Sequence, residues 1–242
     1  MKITAIIQAR MGSTRLPGKV LMTVGTETVL ARVVQRLRRT SLIDGIIVAT
    51  SDHPADDAIV RECDRLQVAC FRGSENDVLD RYWQAAQWCG AEAVVRITSD
   101  CPLIDPELVD ETIQAFLSQP ADYASNTLER TYPRGLDAEV FTVAALEKMW
   151  RAARETYERE HVTPYLYEHQ ELFRLVSVRG QHDQSKHRWT LDTAEDLQLI
   201  RAIYAQFGNQ DDFGWREVLA LMEREPGLAE LNSHVIQKAV HA

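Results

Sequence analysis

Residues 3–19 read Ile3-Thr4-Ala5-Ile6-Ile7-Gln8-Ala9-Arg10-Met11-Gly12-Ser13-Thr14-Arg15-Leu16-Pro17-Gly18-Lys19. The apolar first third predicts a buried parallel strand, because such strands are covered on both faces and carry near-continuous Ile, Val and Ala. It breaks without a spacer into a loop with two arginines, a lysine and two glycines. Glycine lets backbone approach a ligand closely, and bare N–H groups beside Arg and Lys form a seat for polyphosphate. The competing reading is a solvated basic turn, which does not account for strand, glycines and cations arriving together.

Two common phosphate loops are absent. A P-loop has four residues between its first Gly and Gly-Lys-Ser/Thr. Here five residues separate Gly12 from Gly18-Lys19, and Val20 follows. The dinucleotide fingerprint G-x-G-x-x-G is missing as well. The stretch Gln8 to Lys19 instead resembles, without a gap, the phosphate loop of the sugar-activating cytidylyltransferase family. That family includes the CMP-Kdo and CMP-sialic acid synthetases and the spore-coat polysaccharide branch SpsF. The likeness runs to about residue 207, and Arg159-Glu160-His161-Val162-Thr163-Pro164-Tyr165 matches the SpsF branch.

Composition is compatible with that resemblance. A chain of 242 residues can bury the core of one α/β domain. Its net charge of −9 argues against a general nucleic-acid binder. An acidic chain that binds a nucleoside triphosphate must gather cations locally, as residues 10–19 do. Cys63, Cys70, Cys89 and Cys101 show no zinc spacing, and the first three lie among apolar residues as small core side chains. No basic-then-apolar leader pattern precedes the first strand, and no apolar run approaches about 18 residues. The expectation is a cytoplasmic protein with reduced thiols and no membrane insertion.

The β/α alternation continues beyond the loop. Thr28 to Arg39 has helical spacing, with Val29, Leu30, Val33, Val34 and Leu37 inward and Arg32, Arg36, Arg38 and Arg39 as a solvated face. Gly45 to Thr50 and Val68 to Phe71 read as strands. Asp56 and Asp57 after Pro54 suit the first turn of a helix rather than a metal site. Asp77 is a cap for the helix that follows. Ala93 to Thr98 is a strand running into Ser99-Asp100-Cys101-Pro102, and ligands gather beyond such strand ends. Asp100 there is a hard oxygen donor suited to Mg²⁺. The alternation stops near Pro120, where Asp122–Asn126 and Ala138–Phe141 predict two strands around a charged loop. Arg134, Asp137 and Glu139 are candidates for recognising a sugar or acid, or ordinary loop charges. His161 beside Glu160 and Tyr165 is a candidate acceptor-site group or a structural histidine. A strand is predicted to end at Leu191, before a helix capped by Thr193, and small helices are predicted from Trp215 to Arg224 and beyond Pro226.

The resemblance implies more. It implies a Rossmann-like three-layer α/β sandwich, the nucleotide-diphospho-sugar transferase fold, with a mostly parallel central sheet. The domain would span 1–207 with a small inserted lobe at about 120–187, and 208–242 would be a C-terminal helical extension. Ala9, Arg10, Gly12, Ser13, Arg15 and Lys19 are placed on the nucleotide, with Arg10 and Lys19 catalytic. Arg72, Ser74 and Arg81 are placed near the base or ribose, although Arg81 could equally form a salt bridge with Asp77 or Asp80. Asp192 stands opposite Asp100 as the second Mg²⁺ carboxylate. The implied reaction joins CMP from CTP to an acidic sugar-like acceptor, in a homodimer. A glycosyltransferase reading would want an Asp-x-Asp metal pair, which Thr98-Ser99-Asp100 does not supply. A non-catalytic binding module would not need the cationic loop and both carboxylates.

Overall fold

A computed structural model describes residues 1–238. Its first strand, β1 (Ile3–Gln8), is followed by a two-residue hairpin, β2 (Thr23–Val24) and β3 (Glu27–Thr28), and by α1 (Val29–Leu37), β4 (Gly45–Ser51), α2 (Asp57–Leu66) and β5 (Ala69–Gly73). Next come α3 (Val78–Cys89), β6 (Ala93–Thr98), α4 (Pro106–Leu117), β7 (Tyr123–Ser125), β8 (Glu139–Thr142) and α5 (Val143–Ala152). The chain continues through α6 (Thr156–His161), α7 (Pro164–Glu168), β9 (Leu175–Ser177), α8 (Ala194–Gln206), α9 (Trp215–Arg224) and α10 (Gly227–Glu230).

The main sheet has the order β5-β4-β1-β6-β8-β7-β9. All its strands run the same way except β8, which is antiparallel to both neighbours. β1 lies between β4 and β6 with Ala5, Ile6 and Ile7 fully buried, as its composition predicts. Its side chains alternate between two cores. Ile3, Ala5 and Ile7 meet α1, α2 and α4, whereas Ile6 meets α3, α5 and α7. The chain leaves β1 toward β4 and β5 and then returns to β6 on the other side. That reversal opens a crevice at the carboxyl ends of β1 and β6, where open α/β sheets take their ligands.

Three sequence expectations change. The segment at 120–187 does not cap the sheet as a separate lobe: β8 pairs with β6 (Val94↔Phe141, Val95↔Val140), and β7 and β9 continue the same sheet. Short strands carry no sequence signal for which neighbour they will pair with. Residues 188–191 form no strand; one isolated bridge, Arg134↔Arg188, ties them to the 131–137 loop. Arg32 and Arg36 are buried, not solvated. Arg36 donates to the carbonyls of Ile104 (2.6 Å), Phe213 (3.0 Å) and Asp211 (3.3 Å), and Arg32 pairs with Asp211 at 2.7 Å. Residues beyond Gly208 cover that face of α1, which residues 28–39 alone cannot reveal. Arg38 and Arg39 are exposed as expected.

The C-terminal helices α9 and α10 pack with α8 into a third core containing Ile203, Tyr204, Val218, Leu221 and Met222. Of the extension assigned to 208–242, residues 239–242 lie outside the described residues. No helix among the described residues is long and apolar enough to cross a membrane.

Candidate active site

The loop after β1 is held from below. Asp56, almost fully buried in a one-turn 3₁₀ helix (Pro54–Asp56) ahead of α2, accepts the Met11 N–H at 2.7 Å. It also takes the Ser51 N–H and the hydroxyls of Thr50 and Ser51. Met11 returns its carbonyl to the N–H groups of Ser13 (2.9 Å) and Gly18 (3.0 Å), which folds 11–18 into a closed curl. Gly18 adopts φ 72°, where a side chain is strained, and this turn delivers Lys19 into the crevice.

Lys19 Nζ donates to Asp100 Oδ2 (2.7 Å), Asp192 Oδ1 (2.9 Å) and the Leu191 carbonyl (2.7 Å). Asp100 comes from the end of β6 and Asp192 from the turn before α8, so three distant segments meet on one ammonium. Burial lowers the Lys19 pKa, but Asp100 and Asp192 outweigh it, and the amine ends above its ordinary value. Burial raises the Asp192 pKa, yet Lys19, Arg188 and Arg15 drive it below the ordinary carboxylate range. The other oxygen of Asp192 meets Arg15 at 2.8 Å and Arg188 at 2.7 Å. Arg188 is anchored in turn by the buried Asp196 at 3.0 Å. The site is charged, paired and preorganised.

These groups open into a cleft of about 540 Å³. Of the residues singled out in the sequence, Ala9, Arg10, Ser13, Arg15, Lys19, Arg81, Asp100, Asp192, Arg134, Asp137, Glu139 and His161 line it. Gly12, Arg72 and Ser74 do not. Gly12 faces Glu75, Arg72 is held by Asp57 (2.6 Å) and by the carbonyls of Ser51 and His53, and Ser74 Oγ accepts the Asp77 N–H at the start of α3. Arg81 pairs with neither candidate acid. Asp77 is taken by Arg159 and Asp80 by the Trp150 indole. Arg81 is buried, donates to the Ser74 carbonyl at 2.7 Å and has no ion pair among the described residues. Burial, with Arg10 nearby, lowers its pKa below the ordinary guanidinium value.

The far wall uses residues that sequence reasoning missed. Asp137 is locked bidentately to Arg130 at 2.6 and 2.8 Å. Glu139 is ion-paired with Arg96 and accepts from Tyr123 (2.5 Å) and Thr163 (2.7 Å), so both its oxygens are engaged. Arg134 makes no ion pair among the described residues, and burial together with Arg130 lowers its pKa. Arg10 reaches Glu160 at 3.4 Å. Glu160, His161 and Thr163 are turned to the cleft by Val162, which holds φ 73° with a Thr163 N–H to His161 carbonyl bond of 2.9 Å. A buried valine in that region is strained, and such strain concentrates at ligand sites. Arg96 had a readable signal, a charge inside an otherwise apolar strand. Arg130 had none.

A model of the family described as cytidylyltransferase matches residues 4–223. The chain belongs to the cytidylyltransferase family. It is 37% identical over 234 residues to the spore coat polysaccharide biosynthesis protein SpsF of Bacillus subtilis, covering 94% of this chain and 96% of that one. A cytidylyltransferase from Leptospira borgpetersenii superposes with a TM-score of 0.91 at 35% identity, over 95% of this chain and 97% of the other. A CMP:2-keto-3-deoxy-manno-octonic acid synthetase complexed with CTP shares the fold, with a TM-score of 0.65 at 17% identity over 86% of this chain and all of that one. Membership gives the chain a reaction class. Among the described residues no cluster of three or more His, Cys, Asp or Glu side chains gathers to bind a metal. Two carboxylates nevertheless suit Mg²⁺, which commonly takes one or two from protein and the rest from phosphates and water. Asp100 fits through one oxygen: it is a quarter exposed, Lys19 holds its Oδ2, and among the described residues its Oδ1 meets the Cys101 thiol at 3.7 Å. Asp192 fits less directly, since Lys19 holds its Oδ1 and Arg15 and Arg188 its Oδ2.

Proposed function

We propose that this cytidylyltransferase transfers CMP from CTP to a sugar acid or related acidic acceptor, releasing pyrophosphate, in surface or spore-coat polysaccharide biosynthesis. The observation that carries the reading is Lys19, fixed between Asp100 and Asp192 at the exit of a glycine-bearing cationic loop. An acceptor hydroxyl oxygen attacks the α-phosphorus of CTP and gives its proton to water, a new P–O bond forms, and the bond to the β-phosphate oxygen breaks, its electrons leaving with pyrophosphate. Negative charge grows on the α-phosphoryl oxygens and on the departing pyrophosphate. Arg10 and Lys19 neutralise it, Lys19 turning one N–H from an aspartate to a phosphoryl oxygen, which lowers the phosphoryl-transfer barrier. Arg15 exchanges Asp192 for a phosphate oxygen. Asp100, with Asp192 as the second carboxylate, would hold Mg²⁺, which would supply further charge neutralisation. Arg81 lies toward the base and ribose. Arg134 and His161 bind the acceptor, with Asp137 and Glu139 shaping that wall through Arg130 and Arg96.

CTP as the donor is supported by family membership and by the CTP complex of the related synthetase. The pathway is supported by the likeness to SpsF. A cytoplasmic homodimer completes the proposal. Pyrophosphate release, measured with Mg²⁺, each of four nucleoside triphosphates and a panel of sugar acids, tests it. Release with CTP and an acid is expected, and release with an equal rate from every triphosphate would refute the cytidylyl assignment.

A further inference from the structure

The family match ends at residue 223, yet the chain returns to the cleft after that point: Gln237 and Lys238 line it. Their position is built. Asn232, nearly fully buried, donates to Asp196 Oδ1 (2.8 Å) and to the Arg188 carbonyl (2.9 Å). Arg188 uses Nε and Nη2 on Asp196 and Nη2 also on Asp192, and its Nη1 donates to Gln237 Oε1 at 2.5 Å. Gln237 thus closes the side of the guanidinium that neither aspartate reaches. A continuous path of polar contacts runs from the C-terminal segment through Arg188 to Asp192 and on to Arg15 and Lys19. Lys238, next in the chain, makes no ion pair among the described residues.

We infer that residues 232–238 form a wall of the nucleotide site, in which Asn232 and Gln237 orient Arg188 on Asp192 and Lys238 supplies a cation to the polyphosphate. This rests on the nucleotidyl-transfer reading given above. The ligand is a polyphosphate because Gln237 reaches the end of the cleft where Arg15, from the phosphate loop, and Lys19 already converge on Asp192. An ammonium beside that cluster, with no carboxylate paired to it among the described residues, raises the local positive potential seen by a tri- or pyrophosphate. Lys238 binds substrate, whereas Asn232 and Gln237 are positioning residues.

The test titrates the full chain with CTP and, separately, with inorganic pyrophosphate, each with Mg²⁺, by calorimetry. Lys238→Glu should weaken both ligands by roughly tenfold or more, whereas Lys238→Arg should bind nearly as the parent does. Lys186→Glu carries the same charge change at an exposed position outside the cleft and should leave both affinities unchanged. Gln237→Ala should weaken both ligands severalfold without lowering the melting temperature. Parent-like affinity in Lys238→Glu, or equal losses in Lys238→Glu and Lys186→Glu, would overturn the inference while leaving the CTP reading intact. A parent protein that binds neither ligand would sink that reading itself.

Discussion

Lys19 and its two carboxylates are the residue-scale centre of the account. Removing the ammonium strips charge neutralisation from the reacting phosphate, so Lys19→Ala should lower turnover by about 100-fold or more. Pyrophosphate release by matched amounts of folded protein, verified by circular dichroism, measures this; parent-like turnover would remove Lys19 from the chemistry. Asp100→Asn should raise the Mg²⁺ concentration needed for half-maximal activity, read from a metal titration. The same groups predict a pH dependence of stability. Asp192 has a depressed folded pKa, so its contribution is present above the ordinary value of 3.8 and is lost as pH falls through the lower folded value. Lys19 has a raised one, so its contribution is complete below 10.5 and is lost as pH rises through the higher folded value. The melting-temperature gap between the parent and Asp192→Asn should therefore shrink below about pH 4. A gap that stays constant from neutral pH to pH 3 would contradict the pairing.

At the scale of elements, what is joined to what matters more than any one contact. Arg36 fastens α1 to the segment before α9 by two carbonyls and by stacking on Phe213 at 4.6 Å, and to the turn before α4 by the Ile104 carbonyl. Arg36→Met leaves those buried acceptors unpaired and should cost about 3 kcal/mol or more, a fall in melting temperature of about 6–12 °C. An unchanged melting temperature would show that water replaces the guanidinium. Gly135 holds φ 104°, and a Cβ there would stand 2.5 Å from the Trp189 carbonyl carbon. Gly135→Ala should therefore destabilise the protein by about 2 kcal/mol or more and raise the acceptor KM by displacing Arg134. The sequence-based reading of elements succeeded where a signal is local. The apolar run of β1 and the caps Asp77 and Thr193 are all visible in a few residues. It failed where the partner is distant. Arg36 looks solvated until residues 211–213 cover it, and β7 and β8 look like a separate hairpin until β6 is available to pair with them.

Across the whole molecule, the reversal of strand order between β1 and β6 determines where chemistry can occur. The order is set by right-handed crossovers that place α1 and α2 on one face and α3 on the other. The cleft is lined from residues 8–20, 78–81, 96–101, 127–139, 160–167 and 190–192, with a final contribution from 237–238. The loop and Asp100 were legible because each carries its chemistry beside a strand end. Asp192 was legible through family likeness alone. Arg130 and Lys238 come to line the cleft only through folding, since nothing near them in sequence marks a ligand, whereas Arg96 shows as a charge inside an apolar strand.

The central claim is that this cleft is built for CTP. Calorimetric titration of the protein with CTP, UTP, ATP and GTP, each with Mg²⁺, tests it most directly. The account predicts one site per chain that binds CTP at least about tenfold more tightly than the other three. Equal affinity for all four, or no CTP binding by folded protein, would contradict it.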